Sequence, residues 1–385
     1  MILRRVVYLC LISLFMLMKI SVGFASPDLE KLTAQAVILI EADTGKVIYE
    51  KNAKGKMYPA STTKIMTTIL ALEKGNLNDV ITVSENAAGI EGSSMELVAG
   101  DQLPMLDALY GIMMLSGNDA SIAVAEHISG SVEDFAKVMN EKAMQVGAMH
   151  THFANSCGLP DPNHYTTAHD LARIAAYAYK NPTFKEIIST QYKTFSWREV
   201  QEPVLFENTN LLLGNYPGIN GMKTGYTEAA GECLVASAER DGVNLIAVVL
   251  HCATDYRWYE AAALLDYGFE KVKMQTLATK EVARTSVRVK DGESYCVKAI
   301  PQEDIRIAVM NDDRNRYALE LAVPAVQAPV KKGQVVGKIN ILYGDGIERQ
   351  IDLLAEEDVE AGFNIFAKIA GGFYDVMQWI RSVME

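Results

Sequence analysis

The sequence predicts an α+β fold: a mainly antiparallel sheet between helices, then a small all-β domain and a C-terminal amphipathic helix. Three observations predict it. Strand-like pairs open and close the first 275 residues around a helical middle. From about Thr276, short strand-like runs separated by turn residues take over. In the final segment, Phe363, Phe366, Ala370, Phe373, Met377, Ile380 and Met384 recur at three- and four-residue spacing, which makes one helical face.

The elements follow in order. Arg4 and Arg5 precede an apolar run from Val6 to Met18, and Gly23 and Ala25 fit a cleavage site. Residues 1–25 therefore read as a secretory signal. An uncleaved anchor is the competing reading, disfavoured because Lys19 interrupts a run already short for spanning. Cleavage removes three cations and no acid, taking the formal net charge from −12 to −15. Residues 26–275 form the first domain. Ala34–Ile40 and Lys46–Glu50 read as strands joined at Asp43-Thr44-Gly45. A helix begins near Ser61 and ends at Gly75. Residues 104–127 are largely helical, with a break at Ser116-Gly117-Asn118. Glu133–Val146 and Thr167–Tyr179 are amphipathic helices, and Asn155–Tyr165 between them is a polar loop. Gly221–Thr227, Glu232–Glu239 and Val243–Cys252 read as strands, and Tyr256–Leu265 as a helix stopped near Gly268. Residues 276–360 form the all-β domain, with strands at Ser286–Val289, Tyr295–Ala299, Ile305–Met310, Tyr317–Val323 and Gln334–Leu342. Residues 361–385 form the amphipathic helix. Its apolar face suits a membrane surface, but Asn364, Lys368, Asp375, Gln378 and Arg381 make it too polar to span.

Composition narrows the function. The chain has 385 residues, is 49% hydrophobic, and carries no basic stripe, so a nucleic-acid partner is excluded. Past the signal, Cys157, Cys233, Cys252 and Cys296 show no metal-finger spacing. They read as buried thiols, with a Cys233–Cys252 pair as the alternative in an exported protein. The histidines lack an H-E-x-x-H pattern and read as surface or loop residues, so no metal or other cofactor is expected.

Three short motifs carry the chemistry: Ser61-Thr62-Thr63-Lys64, Ser116-Gly117-Asn118 and Lys223-Thr224-Gly225. A serine hydroxyl needs an adjacent base, and Lys64 lies one helical turn beyond Ser61. That lysine works as a base only if burial or a nearby cation such as Lys223 depresses its pKa. Alone, Ser61 and Lys64 would read as a helix cap and a solvated lysine. The other two motifs reverse that judgement. Asn118 can hold a substrate amide, Ser116 can relay a proton, and Lys223 and Thr224 can hold a carboxylate. Gly225 leaves room at the strand edge.

Residues from about Ala34 to Val272 resemble the serine D-alanyl-D-alanine carboxypeptidases, the low-molecular-mass penicillin-binding proteins. The likeness includes Ile40-Glu41-Ala42-Asp43-Thr44-Gly45, Pro59-Ala60 before the nucleophile, Asp119-Ala120 after Asn118, and Tyr226-Thr227 after Gly225. It also takes in Asn155–Ala172 and the C-terminal layout. The resemblance implies the three-layer fold shared by β-lactamases and DD-peptidases. It implies Ser61 as acylated nucleophile, Lys64 as general base, and Ser116 and Asn118 as assistants. Lys223 and Thr224 would bind the substrate carboxylate, the backbone N–H groups of Ser61 and Tyr226 would form the oxyanion hole, and Arg257 would support the carboxylate or pair at a helix start. The implied substrates are peptidoglycan stem peptides, with β-lactams as covalent ligands. The implied location is the outer face of the cytoplasmic membrane. The loop Asn155–His169 has no glutamate, which separates the chain from class A β-lactamases. An endopeptidase acting on cross-links and a penicillin-binding sensor with little turnover are the alternatives.

Overall fold

The structure is a computed structural model that describes residues 28–195, 204–310, 317–343 and 346–362. The expected signal and C-terminal helix lie outside those residues. The central sheet has five antiparallel strands: β1 (Ala36–Glu41), β2 (Val47–Lys51), β5 (Ile219–Thr227), β6 (Gly231–Arg240) and β7 (Val243–Cys252), in the order β2-β1-β7-β6-β5. Every residue of β1 is buried. Its alternation assigns the two faces, because successive strand side chains point to opposite sides. Ile38 and Ile40 pack into the larger cluster with Ile65, Met66 and Ile69, and Val37 and Leu39 into the smaller one with Leu264 and Leu265. Each such fully buried aliphatic side chain contributes roughly 1.5–3 kcal/mol.

The larger cluster is built from α1 (Lys64–Lys74), α2 (Met105–Tyr110), α3 (Asn118–Ser129), α4 (Val132–Gln145), α5 (Ala168–Tyr179) and α6 (Pro182–Ser189). Caps fix several starts. The side chains of Ser131, Thr167 and Asn181 accept backbone N–H bonds from Asp134, Asp170 and Phe184. A hairpin, β3 (Tyr192–Phe195) with β4 (Val204–Glu207), follows α6. The opposite face carries α7 (Arg257–Lys271). The expected three layers are therefore present.

The helix α7 does not stop near Gly268 as its sequence suggests. It continues to Lys271, and Gly268 is needed for contact: a Cβ there would sit 2.6 Å from Leu245 Cδ1 and 2.7 Å from Leu39 Cδ2. Beyond it, β8 (Val272–Ala278) pairs with β11 (Ile305–Met310). The remaining strands are β9 (Thr285–Lys290), β10 (Cys296–Pro301), β12 (Tyr317–Ala322), β13 (Val326–Gln327), β14 (Val335–Tyr343) and β15 (Gly346–Ala355). They form a six-stranded sheet ordered β12-β14-β15-β10-β9-β13. This is the all-β domain, with β8, β13 and β15 added to the strands read from sequence. Cys157, Cys233, Cys252 and Cys296 are free thiols. Cys252 contacts the Thr33 hydroxyl at 3.4 Å, and Cys233 lies near backbone carbonyls, so the pairing alternative does not hold.

Candidate active site

Ser61 lies in a 3-10 turn, Ala60–Thr63, that runs directly into α1. Thr62 locks the turn by donating its hydroxyl to Pro59 O at 2.6 Å. Lys64 opens α1 and is fully buried. Its Nζ donates to Ser61 Oγ at 2.9 Å, Asn118 Oδ1 at 2.7 Å and the Cys157 carbonyl at 2.8 Å. Three acceptors engage the three N–H bonds of an ammonium. When one proton leaves, two bonds can stay on Asn118 and Cys157 while the lone pair faces the serine hydroxyl. Burial lowers the Lys64 pKa from 10.5 to about 8, partly opposed by Cys157 and Asp119. Burial, rather than the charge of Lys223, is the main cause.

The second motif follows a widened π turn, Gly111–Leu115, that continues α2. Ser116 then takes a left-handed conformation with φ 64°, and α3 starts at Asn118. Irregular turns of this kind are enriched at functional sites. Asn118 is held twice more: its Nδ2 donates to Glu91 O at 2.7 Å and its backbone N–H to Ser93 O at 2.7 Å. Ser116 is buried two residues away, but its hydroxyl makes no hydrogen bond among the described residues.

Lys223, Thr224 and Gly225 lie on β5, the edge strand of the sheet. Lys223 is fully buried, so it is not a solvated edge guard. Its pKa is pushed well down by burial first, then by the charges of Lys64 and Arg257. The Thr224 hydroxyl lies 3.1 Å from that of Thr209. Gly225 fits closely against the nucleophile turn. A Cβ there would stand 3.0 Å from Pro59 O and 3.2 Å from Ser61 N, so this glycine admits the turn as much as any substrate. Arg257 Nη1 donates to Gly225 O at 3.2 Å, and its Nε lies 3.7 Å from Glu232. The pairing at the helix start is therefore present, and the contact with Gly225 sets Arg257 behind the third motif. Tyr226 is 64% exposed, with its ring outside the cluster.

Several groups are not evident in the motifs. The Cys157 carbonyl reaches Lys64 because Asn155 Oδ1 accepts from the backbone N–H groups of Cys157 and Gly158, curling the loop. Gly158 has φ +91°, and a Cβ there would collide with the Ala60 carbonyl. Asp119 is buried and clamps the segment before α2: it accepts from Met95 N, Leu97 N and Ser94 Oγ, the last at 2.6 Å. His164 is buried rather than a surface residue. Its Nδ1 accepts from Ala154 N, which leaves Nε2–H to donate to Thr63 Oγ1 at 2.8 Å. Burial lowers its pKa to about 4, so it is a neutral strut beside the nucleophile turn. No group of three metal-ligating side chains converges among the described residues.

Comparison with known proteins gives consistent matches. A family model described as D-alanyl-D-alanine carboxypeptidase matches residues 23–254. A model of the penicillin-binding protein 5 C-terminal domain matches residues 269–361. The D-alanyl-D-alanine carboxypeptidase DacF of Bacillus subtilis is 36% identical, over 95% of this chain and 97% of the relative. The carboxypeptidase DacC of Escherichia coli is 35% identical, over 86% and 85%. The crystal structure of penicillin-binding protein 5 from Haemophilus influenzae superposes with a TM-score of 0.63 at 32% identity, covering 86% of this chain and 98% of that one.

Proposed function

The chain belongs to the D-alanyl-D-alanine carboxypeptidase family, and from that membership we propose how its residues remove a terminal D-alanine. It is a serine-type carboxypeptidase with the family's penicillin-binding fold. Neutral Lys64 takes the Ser61 proton as Oγ attacks the carbonyl of the penultimate D-alanine. The oxyanion is received by the backbone N–H groups of Ser61 and Tyr226. The C–N bond then breaks, and the proton held on Lys64 passes through Ser116 to the departing D-alanine nitrogen. The result is an ester on Ser61. Lys64 next takes a proton from water as the water oxygen attacks the ester; the acyl C–Oγ bond breaks, Ser61 Oγ takes that proton back from Lys64, and the shortened peptide leaves. Asn118 holds the substrate amide. Lys223 and Thr224 hold its terminal carboxylate, with Arg257 behind Gly225. No cofactor enters any step.

The observation that carries this reading is the Lys64 ammonium: buried, 2.9 Å from Ser61 Oγ, with its pKa lowered to about 8. The substrates are the stem pentapeptides of peptidoglycan. Penicillin acylates Ser61 and leaves slowly, because the 155–169 loop offers no glutamate to activate water. The site works on the outer side of the cytoplasmic membrane, after export through the 1–25 signal. The 361–385 segment lies on the membrane surface. No helix among the described residues is long and apolar enough to cross a membrane.

Intact-mass measurement after penicillin treatment tests the nucleophile. The wild-type protein should gain one adduct and Ser61→Ala none, with D-alanine release from a pentapeptide lost in parallel. An adduct of equal yield on Ser61→Ala overturns the assignment. A chain shortened to end near Glu360 should keep small-peptide activity and lose liposome binding. Unchanged liposome binding would refute the tail's role.

A further inference from the structure

A cavity of about 290 Å³ opens between the β1–β2 hairpin and α5, and neither Ser61, Lys64, Ser116, Asn118, Lys223 nor Thr224 lines it. That volume exceeds one water, roughly 30 Å³ of liquid, several times over, yet lies at the small end of ligand pockets, roughly 300–1,000 Å³. Arg173, Ala176 and Tyr177 of α5, with its C-cap Lys180, form one helical stripe along one wall. The Asp43-Thr44-Gly45 turn forms the other, and Ile38 and Ile40 lie between them.

The charges there are unbalanced in a directed way. Neither Arg173 nor Lys180 forms an ion pair among the described residues, although the whole chain carries a net charge of −12. The neighbouring acids are engaged elsewhere. Glu73 pairs with Lys142 at 2.7 Å, and Asp170 accepts from His150 N at 2.6 Å. Glu41 accepts from the Thr44 hydroxyl at 2.6 Å. Asp43, on the hairpin wall, has only a 3.5 Å contact from Asn244 Nδ2. Two solvent-exposed cations without an ion-pair partner among the described residues thus line one wall, and the exposed, lightly bonded Asp43 carboxylate lines the other. An anion alone would satisfy one wall and face a carboxylate on the other, and a cation alone would do the reverse. A molecule carrying both charges a few bonds apart satisfies both walls.

We propose that this cavity binds a small zwitterion, an α-amino acid or dipeptide, with its carboxylate on Arg173 and Lys180 and its ammonium on Asp43. This goes beyond the acyl-transfer reading and uses none of the residues that carry it. The product of that reaction is itself a ligand of this class.

Calorimetric titration of D-alanyl-D-alanine into protein already acylated by penicillin, with the Ser61 cleft filled, tests the site. One saturable event is expected. Its affinity should fall by about tenfold or more in the Arg173→Gln/Lys180→Gln double variant, and similarly for Asp43→Asn, which removes the carboxylate that pairs with the ligand's ammonium. The N-acetylated and C-amidated dipeptides should each bind more weakly than the parent. Unchanged penicillin acylation in the variants would show that their fold and cleft are intact. Absence of saturable binding to the acylated protein overturns the proposal. So does equal affinity in the double variant, or equal binding of the capped dipeptides.

Discussion

The depressed pKa of Lys64 fixes how the rate should respond to pH. With a pKa of about 8 the neutral amine is roughly one molecule in eleven at pH 7. A lysine at its ordinary 10.5 would be neutral in roughly one molecule in three thousand. Burial therefore supplies about 300-fold more competent base, equivalent to about 3 kcal/mol. The fold bears a matching cost. The unfolded chain binds the extra proton between about pH 8 and 10.5, so stability rises with pH across that window, and the cost is present in full below it. Stopped-flow acylation by a fluorescent penicillin between about pH 5.5 and 9.5 reads the first effect. The rate should climb about tenfold per pH unit below pH 7 and level off above about pH 8. Lys64→Gln should be slower by orders of magnitude and flat with pH. A flat wild-type profile, or a midpoint near 10.5, would refute the reasoning.

Three further outcomes follow from the site. Thr224→Val keeps the side-chain shape and removes the hydroxyl 3.1 Å from Thr209. Turnover of peptides with a free carboxylate should fall by about tenfold, and amide or ester analogues should be less affected; equal losses would sink the carboxylate role. Asp119→Asn replaces an acceptor of several N–H and O–H bonds by a group with one acceptor oxygen. A destabilisation of about 2–4 kcal/mol by urea denaturation is expected, with slower acylation from a loosened 91–97 wall; a wild-type midpoint would argue against the clamp. Gly158→Ala must move either the Cys157 carbonyl or the Ser61 turn, so acylation should drop by at least about tenfold even where the melting temperature is preserved. Full activity in that variant would show that the loop can relax without disturbing Lys64.

Much of the fold was legible because it rests on local signals. The Asp43-Thr44-Gly45 turn, the Gly75 stop and the three strand runs of β5 to β7 all appear where their patterns place them. The side chains of the three motifs were legible for the same reason, since Ser61 and Lys64 need only a helical turn to meet. What escaped depends on long-range contact. The third ligand of Lys64 is a backbone carbonyl, which any residue type at 157 could supply. The Asp119 clamp joins segments that share no motif, and Gly268 reads as a helix stop until Leu39 and Leu245 are packed against it. Two misses did carry local marks. Asn181-Pro182 is a cap followed by an N1 proline, the signature of the unread helix α6. The alternation from Ile347 to Leu353 marks the unread β15.

The strand order also dictates when this enzyme can come into being. β1, at the start of the described chain, is flanked in the sheet by β7, with Ala36 opposite Leu250. The nucleophile turn and the strand that carries Lys223 are likewise separated by most of the first domain. A ribosome or translocation channel releasing this chain from its N-terminus therefore delivers β1 and β2 long before their central neighbour exists. The hairpin must wait, its inner edge unpaired, until residue 252 has emerged. Loop closure of that length is slow, and the waiting strand is an aggregation risk that a holding chaperone would mask. The same delay leaves Ser61 inert until the strand that carries Lys223 has joined the sheet.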